Sequence, residues 1–175
     1  MKLYHTGPLE IRQPDVHHGR KNADFGQGFY LTPDQDFTWR WASYGAVVNE
    51  YEMDLTGLLV HQFTRTEEWF QYIFHNRHGK DSLPDFDVII GPIANDTIFD
   101  TMGIITSGFL EPQEALQLLL VGPEYTQIAL KTEKAATQLQ WLSATEVTQA
   151  EAPAAALAAE KEEYQQLFAQ AMELL

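Results

Sequence analysis

The chain alternates short strand-like segments with amphipathic helical segments in an uneven order, and this order is the strongest constraint on its fold. Runs rich in β-branched and aromatic residues predict strands near residues 2–6, 28–32, 47–54, 58–63, 86–90 and 127–131. Apolar residues at helical spacing predict helices near residues 34–44, 66–76 and 111–121. A regular βαβ series would place one helix after each strand. The uneven order therefore predicts the α+β class.

The composition changes near residue 148, where a stretch rich in Ala, Glu and Gln begins. These residues favour helix. Apolar side chains form a stripe at helical spacing along it, at Leu157, Tyr164, Leu167, Phe168, Ala171 and Leu174. We therefore expect a domain over residues 1–147 and a C-terminal helical extension over residues 148–175. Its stripe either docks on the chain's own domain or binds a partner or a second copy.

The formal net charge of -14 argues against a broad surface for nucleic acid or anionic lipid. Six of the eleven lysines and arginines precede residue 70, so the N-terminal half offers more counter-charge to a small anion. The chain has no cysteine, which fits a cytoplasmic protein. No apolar run approaches the roughly 18 residues of a membrane span, and the N-terminus lacks the apolar segment of a secretory signal. We expect a cytoplasmic protein with no membrane partner.

Gly26 and Gly28 flank Gln27 directly before an aromatic strand segment. Glycine permits backbone conformations and close approaches that other residues do not. The pattern is not a dinucleotide fingerprint, because Gly-x-Gly-x-x-Gly would need a third glycine at Leu31 and a preceding strand. By itself it predicts either a tight turn into a strand or a point where a ligand approaches the backbone.

Three motifs occur in order: Tyr4-His5-Thr6-Gly7 near the start, DFGQGFYLT at residues 24–32, and Trp41 eleven residues after Tyr30. Together they resemble the ADP-ribosyltransferase superfamily of the diphtheria-toxin and poly(ADP-ribose) polymerase type. The resemblance covers roughly residues 1–145 and looks closest to an uncharacterised bacterial branch of small stand-alone domains of unknown function. It implies a split β-sheet core with an NAD cleft and peripheral helices.

The resemblance also implies that NAD is the substrate. Tyr30 and Trp41 would hold the nicotinamide ring between them, where stacking geometry matters more than acid–base strength. Gly7 would offer backbone hydrogen bonds to the carboxamide and His5 a side-chain bond to a ribose hydroxyl, with Thr6 and Gly28 beside the cofactor. The alternative for His5 is a core histidine bonded to a backbone carbonyl.

Arg20 precedes the glycine turn, and its guanidinium suits the pyrophosphate of NAD. The alternative for Arg20 is a surface salt bridge. The adjacent His17 and His18 lack the further ligands that a metal site needs, so we expect no metal. Asp24 is expected to cap or orient the turn.

The third catalytic position departs from the resembled family, in which a glutamate at the start of a late strand stabilises the cationic transition state. Laying the segment from residue 127 to residue 131 on that strand puts Gln127 at the glutamate's place. An amide still bonds a hydroxyl but lacks the full negative charge. Glu124 and Asp96 are the other candidates for a carboxylate. An amide disfavours polymer elongation and leaves single-unit transfer, NAD hydrolysis and NAD binding open.

The resemblance and the small size imply a toxin-like mono-ADP-ribosyltransferase with an unknown macromolecular acceptor and a small neutralising protein partner. Gln127 motivates an alternative, a catalytically weak NAD- or nucleotide-binding module that acts through protein contacts. A relative of the RNA 2'-phosphotransferases is a third interpretation, which the acidic charge of the chain disfavours.

Overall fold

The computed structural model describes residues 1–79, 86–94, 114, 117–118, 120–148 and 151–174, and for residues 40–41 and 151–157 it describes the backbone alone. Seven strands and four helices have their bounds within these residues. They are, in chain order, β1 (Lys2–Gly7), β2 (Phe29–Leu31), α1 (Gln35–Trp41), β3 (Val47–Met53), β4 (Val60–Gln62), α2 (Glu67–Arg77), β5 (Val88–Pro92), β6 (Thr126–Leu130), α3 (Glu133–Thr137), β7 (Leu139–Glu146) and α4 (Glu151–Glu173). The α+β class is confirmed.

The first sheet is antiparallel and has the order β1-β3-β7. Leu3 pairs with Tyr51, and both side chains are fully buried. The register of β3 against β7 shifts between Glu50 and Tyr51. This sheet contributes one wall of the central core.

The second sheet has the order β2-β6-β5-β4, in which β4 and β5 are parallel and the other pairs antiparallel. One isolated bridge joins the two sheets, with Tyr4 N donating to Thr32 O at 2.8 Å and Thr32 N to Tyr4 O at 2.9 Å. The β structure is therefore divided into two sheets that adjoin where β1 passes the end of β2.

The two sheets pack against each other through apolar side chains from both. The cluster includes Leu3, Phe29, Leu31, Tyr51, Met53, Val88, Ile128 and Leu130. Burial of each large apolar side chain of this kind stabilises the fold by about 1.5–3 kcal/mol. Strand residues alternate in direction, so the neighbours of these residues point to the outer faces of the sheets.

Helices cover those outer faces. On the second sheet, α2 packs Trp69, Tyr72 and Ile73 against Ala129 of β6. On the first sheet, Tyr4 and Val48 pack beside α1. Among the described residues, none of the helices combines the length and the apolar character needed to cross a bilayer.

The C-terminal helix α4 lies beside α1. Its Tyr164 is 4% exposed and packs on Gly122, and the Tyr125 hydroxyl donates to Glu160 Oε1 at 2.7 Å. The predicted helical extension is thus present, and part of its apolar stripe contacts the preceding domain. The boundary at residues 147 and 148 stays a prediction.

Two elements, α3 and β7, are not predicted by the sequence patterns. The helix predicted to reach residue 44 ends at Trp41, because Ala42 takes an extended conformation (φ -78°, ψ 123°) and Gly45 follows in a turn with φ 78°. Of the helix predicted at residues 111–121, Glu114, Gln117 and Leu118 have helical backbone, and most of the other positions lie outside the described residues.

Candidate functional site

The predicted histidine lies on β1 and contacts β2. His5 Nδ1 is 2.7 Å from the carbonyl oxygen of Tyr30, and the imidazole stacks on Phe29 with a centroid distance of 4.5 Å. Burial lowers the pKa of His5, which the hydrogen bond to the carbonyl opposes. The ring is therefore neutral near pH 7, and since a carbonyl only accepts, Nδ1 carries the hydrogen. Nε2 is left as an acceptor.

Of the other residues in the first motif, Gly7 lies next to that acceptor atom. A Cβ built on Gly7 would lie 3.1 Å from His5 Nε2, so the glycine leaves this nitrogen accessible at the end of β1. Among the described residues, Nε2 has no hydrogen-bond partner. Thr6 points the other way, and its hydroxyl lies 3.4 Å from Thr38 O of α1. The carbonyl bond expected of a core histidine is present, and it leaves one ring nitrogen for a ligand.

Tyr30 holds the turn that precedes it. Its hydroxyl donates to Gly26 O at 2.6 Å and accepts from Phe25 N at 2.9 Å. Burial raises the pKa of Tyr30 well above its ordinary value. The phenol is thus neutral and its hydroxyl is engaged, and its partly buried ring packs against the apolar cluster that includes Trp69 and Ala129.

The glycines of the turn are explained by close backbone contacts. A Cβ on Gly28 would lie 2.6 Å from Leu130 O, and a Cβ on Gly19 would lie 2.2 Å from Gly28 O. Gly26 has φ 72°. The side chain of Gln27 donates to Gly19 O at 3.2 Å, which closes the loop from residue 19 to residue 28. The turn interpretation of these glycines is therefore correct for the fold.

Gln127 is the second residue of β6 and is buried at 9% exposure. It pairs with Gly91 of β5 and points to the same face as Ala129, which pairs with Tyr30. Its Nε2 donates to Asp24 Oδ2 at 3.0 Å and lies 3.4 Å from Pro92 O. Gln127 and Tyr30 therefore share one face of neighbouring strands.

Asp24 connects these two positions, since it directly precedes the Phe25–Gly26 turn that Tyr30 holds. Arg77 of α2 donates to Asp24 Oδ1 from Nε at 2.7 Å and also from Nη2. Ala94 N donates to Oδ2 at 3.2 Å. The side chains of Arg77 and Asp24 are only 8% and 12% exposed. The sequence patterns do not predict this buried ion pair.

The sequence also predicts four further site residues, which are Arg20, Trp41, Asp96 and Glu124. Arg20 is exposed and has no hydrogen-bond partner among the described residues, and its charge acts on the Tyr30 hydroxyl. Trp41 ends α1, and its side chain lies outside the described residues. Asp96 also lies outside them. The side chain of Glu124 is 55% exposed, and its Oε2 lies 3.8 Å from Arg65 Nε.

A cavity of about 620 Å³ occurs elsewhere, between α4 and residues 122–125. Its lining includes Tyr125, Glu160 and Tyr164 and none of the predicted site residues. A catalytic site depends on polar groups that lie close together more than on the volume of a cavity. The site on β1, β2 and β6 is therefore the better candidate. Within the described part of the chain, no three His, Asp or Glu side chains are grouped to hold a metal ion.

Comparison with known proteins identifies the family without naming an activity. No curated protein matches the chain. A family described as a protein of unknown function, DUF3990, matches residues 1–141, which is most of the chain and includes His5, Tyr30 and Gln127. The chain therefore belongs to the DUF3990 family.

Proposed function

We propose that this chain binds NAD and cleaves its nicotinamide–ribose bond, acting as a mono-ADP-ribosyltransferase. One observation carries the proposal: the three residues that the motif resemblance selects lie on β1, β2 and β6, which are neighbouring strands although the residues are far apart in sequence. Tyr30 and Gln127 further share one face. His5 stacks on Phe29 on the inner side of β2 and is joined to Tyr30 through the bond of its Nδ1 to the Tyr30 carbonyl.

In the proposed reaction, the bond between the nicotinamide nitrogen and ribose C1' breaks, and its electron pair stays with nicotinamide. The resulting oxocarbenium-like carbon is captured by an acceptor nucleophile, which loses a proton, or by water. Gln127 Oε1 accepts a hydrogen bond from the ribose 2'-hydroxyl. Its partial charge stabilises the cation less than a carboxylate would, so we expect a slow enzyme.

The Tyr30 ring supports the nicotinamide and Trp41, from the end of α1, is its proposed second aromatic wall. NAD has two riboses, so His5 Nε2 and Gln127 do not have to reach the same one. The neutral imidazole accepts a hydroxyl hydrogen at the end of β1, where Gly7 leaves room. The exposed guanidinium of Arg20 is the group proposed for the pyrophosphate.

Titration of the purified protein with NAD, with free nicotinamide measured by chromatography, tests the proposal. Two variants separate stacking from folding, because Tyr30→Ala and Tyr30→Phe both remove the hydroxyl bonds to the turn while only Tyr30→Phe keeps the ring. We expect Tyr30→Ala to weaken NAD binding about tenfold or more relative to Tyr30→Phe. Equal affinities for the two variants would refute the stacking role.

The neutral, buried environment of Gln127 supports a second candidate, an NAD-binding module that acts through protein contacts. The charges of Asp24 and Arg77 offset each other beside the amide, so no uncompensated carboxylate is described at this point. NAD binding without nicotinamide release, with and without cell lysate as a source of acceptor, would select this function. Release in lysate alone would select transfer to a macromolecular acceptor.

A further inference from the structure

We propose that Asp24 is the positioning residue for Gln127: it turns the amide so that the oxygen faces the ribose, and it requires a hydrogen-bond donor at position 127. This inference rests on the proposed function for its role in NAD chemistry. Its structural part rests on contacts alone. It explains why the late strand carries glutamine where the resembled enzymes carry glutamate.

The orientation of the amide follows from its two partners. Asp24 Oδ2 lies 3.0 Å and Pro92 O lies 3.4 Å from Gln127 Nε2. A carboxylate and a carbonyl oxygen only accept hydrogen bonds, so both must face the NH₂ group. The amide oxygen then points away from them, and among the described residues it has no hydrogen-bond partner. It is the atom left to accept from a ligand hydroxyl.

The carboxylate is itself held in place. Arg77 contacts Oδ1 through two nitrogens, while Oδ2 faces Gln127 and the Ala94 amide. The two carboxylate oxygens therefore have separate partners. Because Asp24 also begins the turn that binds the Tyr30 hydroxyl, one side chain sets the relative position of the proposed ring support and the proposed ribose acceptor.

A glutamate at position 127 would present acceptors to Asp24 and to Pro92 O, where donors are required. The variant Gln127→Glu alone should thus be destabilised by repulsion between neighbouring carboxylates. Exchanging the two groups with Asp24→Asn plus Gln127→Glu restores a donor opposite an acceptor. The introduced asparagine oxygen still accepts from Arg77, while the bond to Ala94 N and the donor contact with Pro92 O are lost.

Thermal unfolding of the full chain in four forms tests the structural part: wild type, Asp24→Asn, Gln127→Glu and the double variant. We expect Gln127→Glu to lower the Tm by about 5 °C or more at pH 7. The double variant should recover at least half of that loss. Gln165→Glu is the charge-matched control, since Gln165 is exposed on α4 and its change should leave the Tm and NAD cleavage as in wild type. A double-variant loss equal to the sum of the two single losses would overturn the positioning.

NAD binding and nicotinamide release in the same four proteins test the catalytic part. The double variant places a full negative charge where the amide oxygen was, so we expect release at least about tenfold faster than wild type with NAD affinity little changed. If no form binds NAD, the proposed function fails, while the thermal coupling still decides the positioning. If the double variant binds NAD and shows thermal coupling but releases no faster, the placement of Gln127 at the ribose is wrong and NAD binding stands.

Discussion

Replacing Arg77 by methionine should destabilise the protein more than any surface ion-pair change. Arg77 and Asp24 are 8% and 12% exposed, so removing the guanidinium leaves a carboxylate buried without its cation. Breaking such a pair from one side costs about 3–5 kcal/mol. Asp24 keeps its bonds from Ala94 N and Gln127, so we expect a loss near the lower end, about 3 kcal/mol. For a chain of this length, this corresponds to a fall in Tm of about 6–12 °C.

Unfolding followed by circular dichroism measures this loss, and Arg12→Met is the matched control. Arg12 pairs with Glu10 on the surface, where the two side chains are 69% and 44% exposed. It also lies over the Trp141 ring at 4.5 Å. Exposed pairs of this kind contribute at most about 1 kcal/mol. An Arg77→Met loss no larger than the Arg12→Met loss would show that the buried pair does not hold the turn.

Two further predictions concern other parts of the fold. Several hydrogen bonds, of which the one from the backbone amide of Leu59 has the largest effect, lower the pKa of Asp87 to about 2. The ionised carboxylate therefore stabilises the fold above about pH 4, and this stabilisation is lost as the pH falls towards 2. Asp87→Asn should flatten the acid side of a stability-versus-pH curve, and an unchanged curve would contradict this prediction. Gly122 and Gly45 both have positive φ, but a Cβ on Gly122 would lie 2.4 Å from the Tyr164 ring, whereas a Cβ on Gly45 would meet nothing. Gly122→Ala should therefore make α4 far more sensitive to limited proteolysis than Gly45→Ala does. Equal cleavage of the two variants would argue against the packing of Tyr164.

The sequence patterns predict six of the seven described strands but not β7, in which apolar and polar residues do not alternate clearly. In β7, Trp141 packs near Asn49 while Leu142 is 37% exposed, so the apolar residues do not fall on one face. Asn49, the buried β3 residue beside Trp141, is polar. Its side chain accepts a hydrogen bond from Ile11 N and donates one to Leu9 O. Period-two alternation is a reliable signal only when one face is apolar, and here it is not.

At the site, local motifs predicted which residues are important but not what they contact. The turn from Asp24 to Tyr30 is readable because its glycines are close in sequence. The partners of Asp24 are Arg77 and Gln127, which are 53 and 103 residues away along the chain. A lone arginine at the end of an amphipathic helix carries no sign of a buried carboxylate. Such pairings are set by packing of whole elements and appear only in the folded structure.

The contact between Gly19 and Gly28 holds together the two ends of the loop that runs between them. Both ends of this loop are fixed by backbone contacts and by the side chain of Gln27, whereas Arg20, Lys21 and Asn22 at its tip are exposed. Lengthening a loop with anchored ends costs little, about 0.6 kcal/mol for each doubling. The tip can therefore vary in length and charge, and thus in what it meets, while the strands below it keep their register.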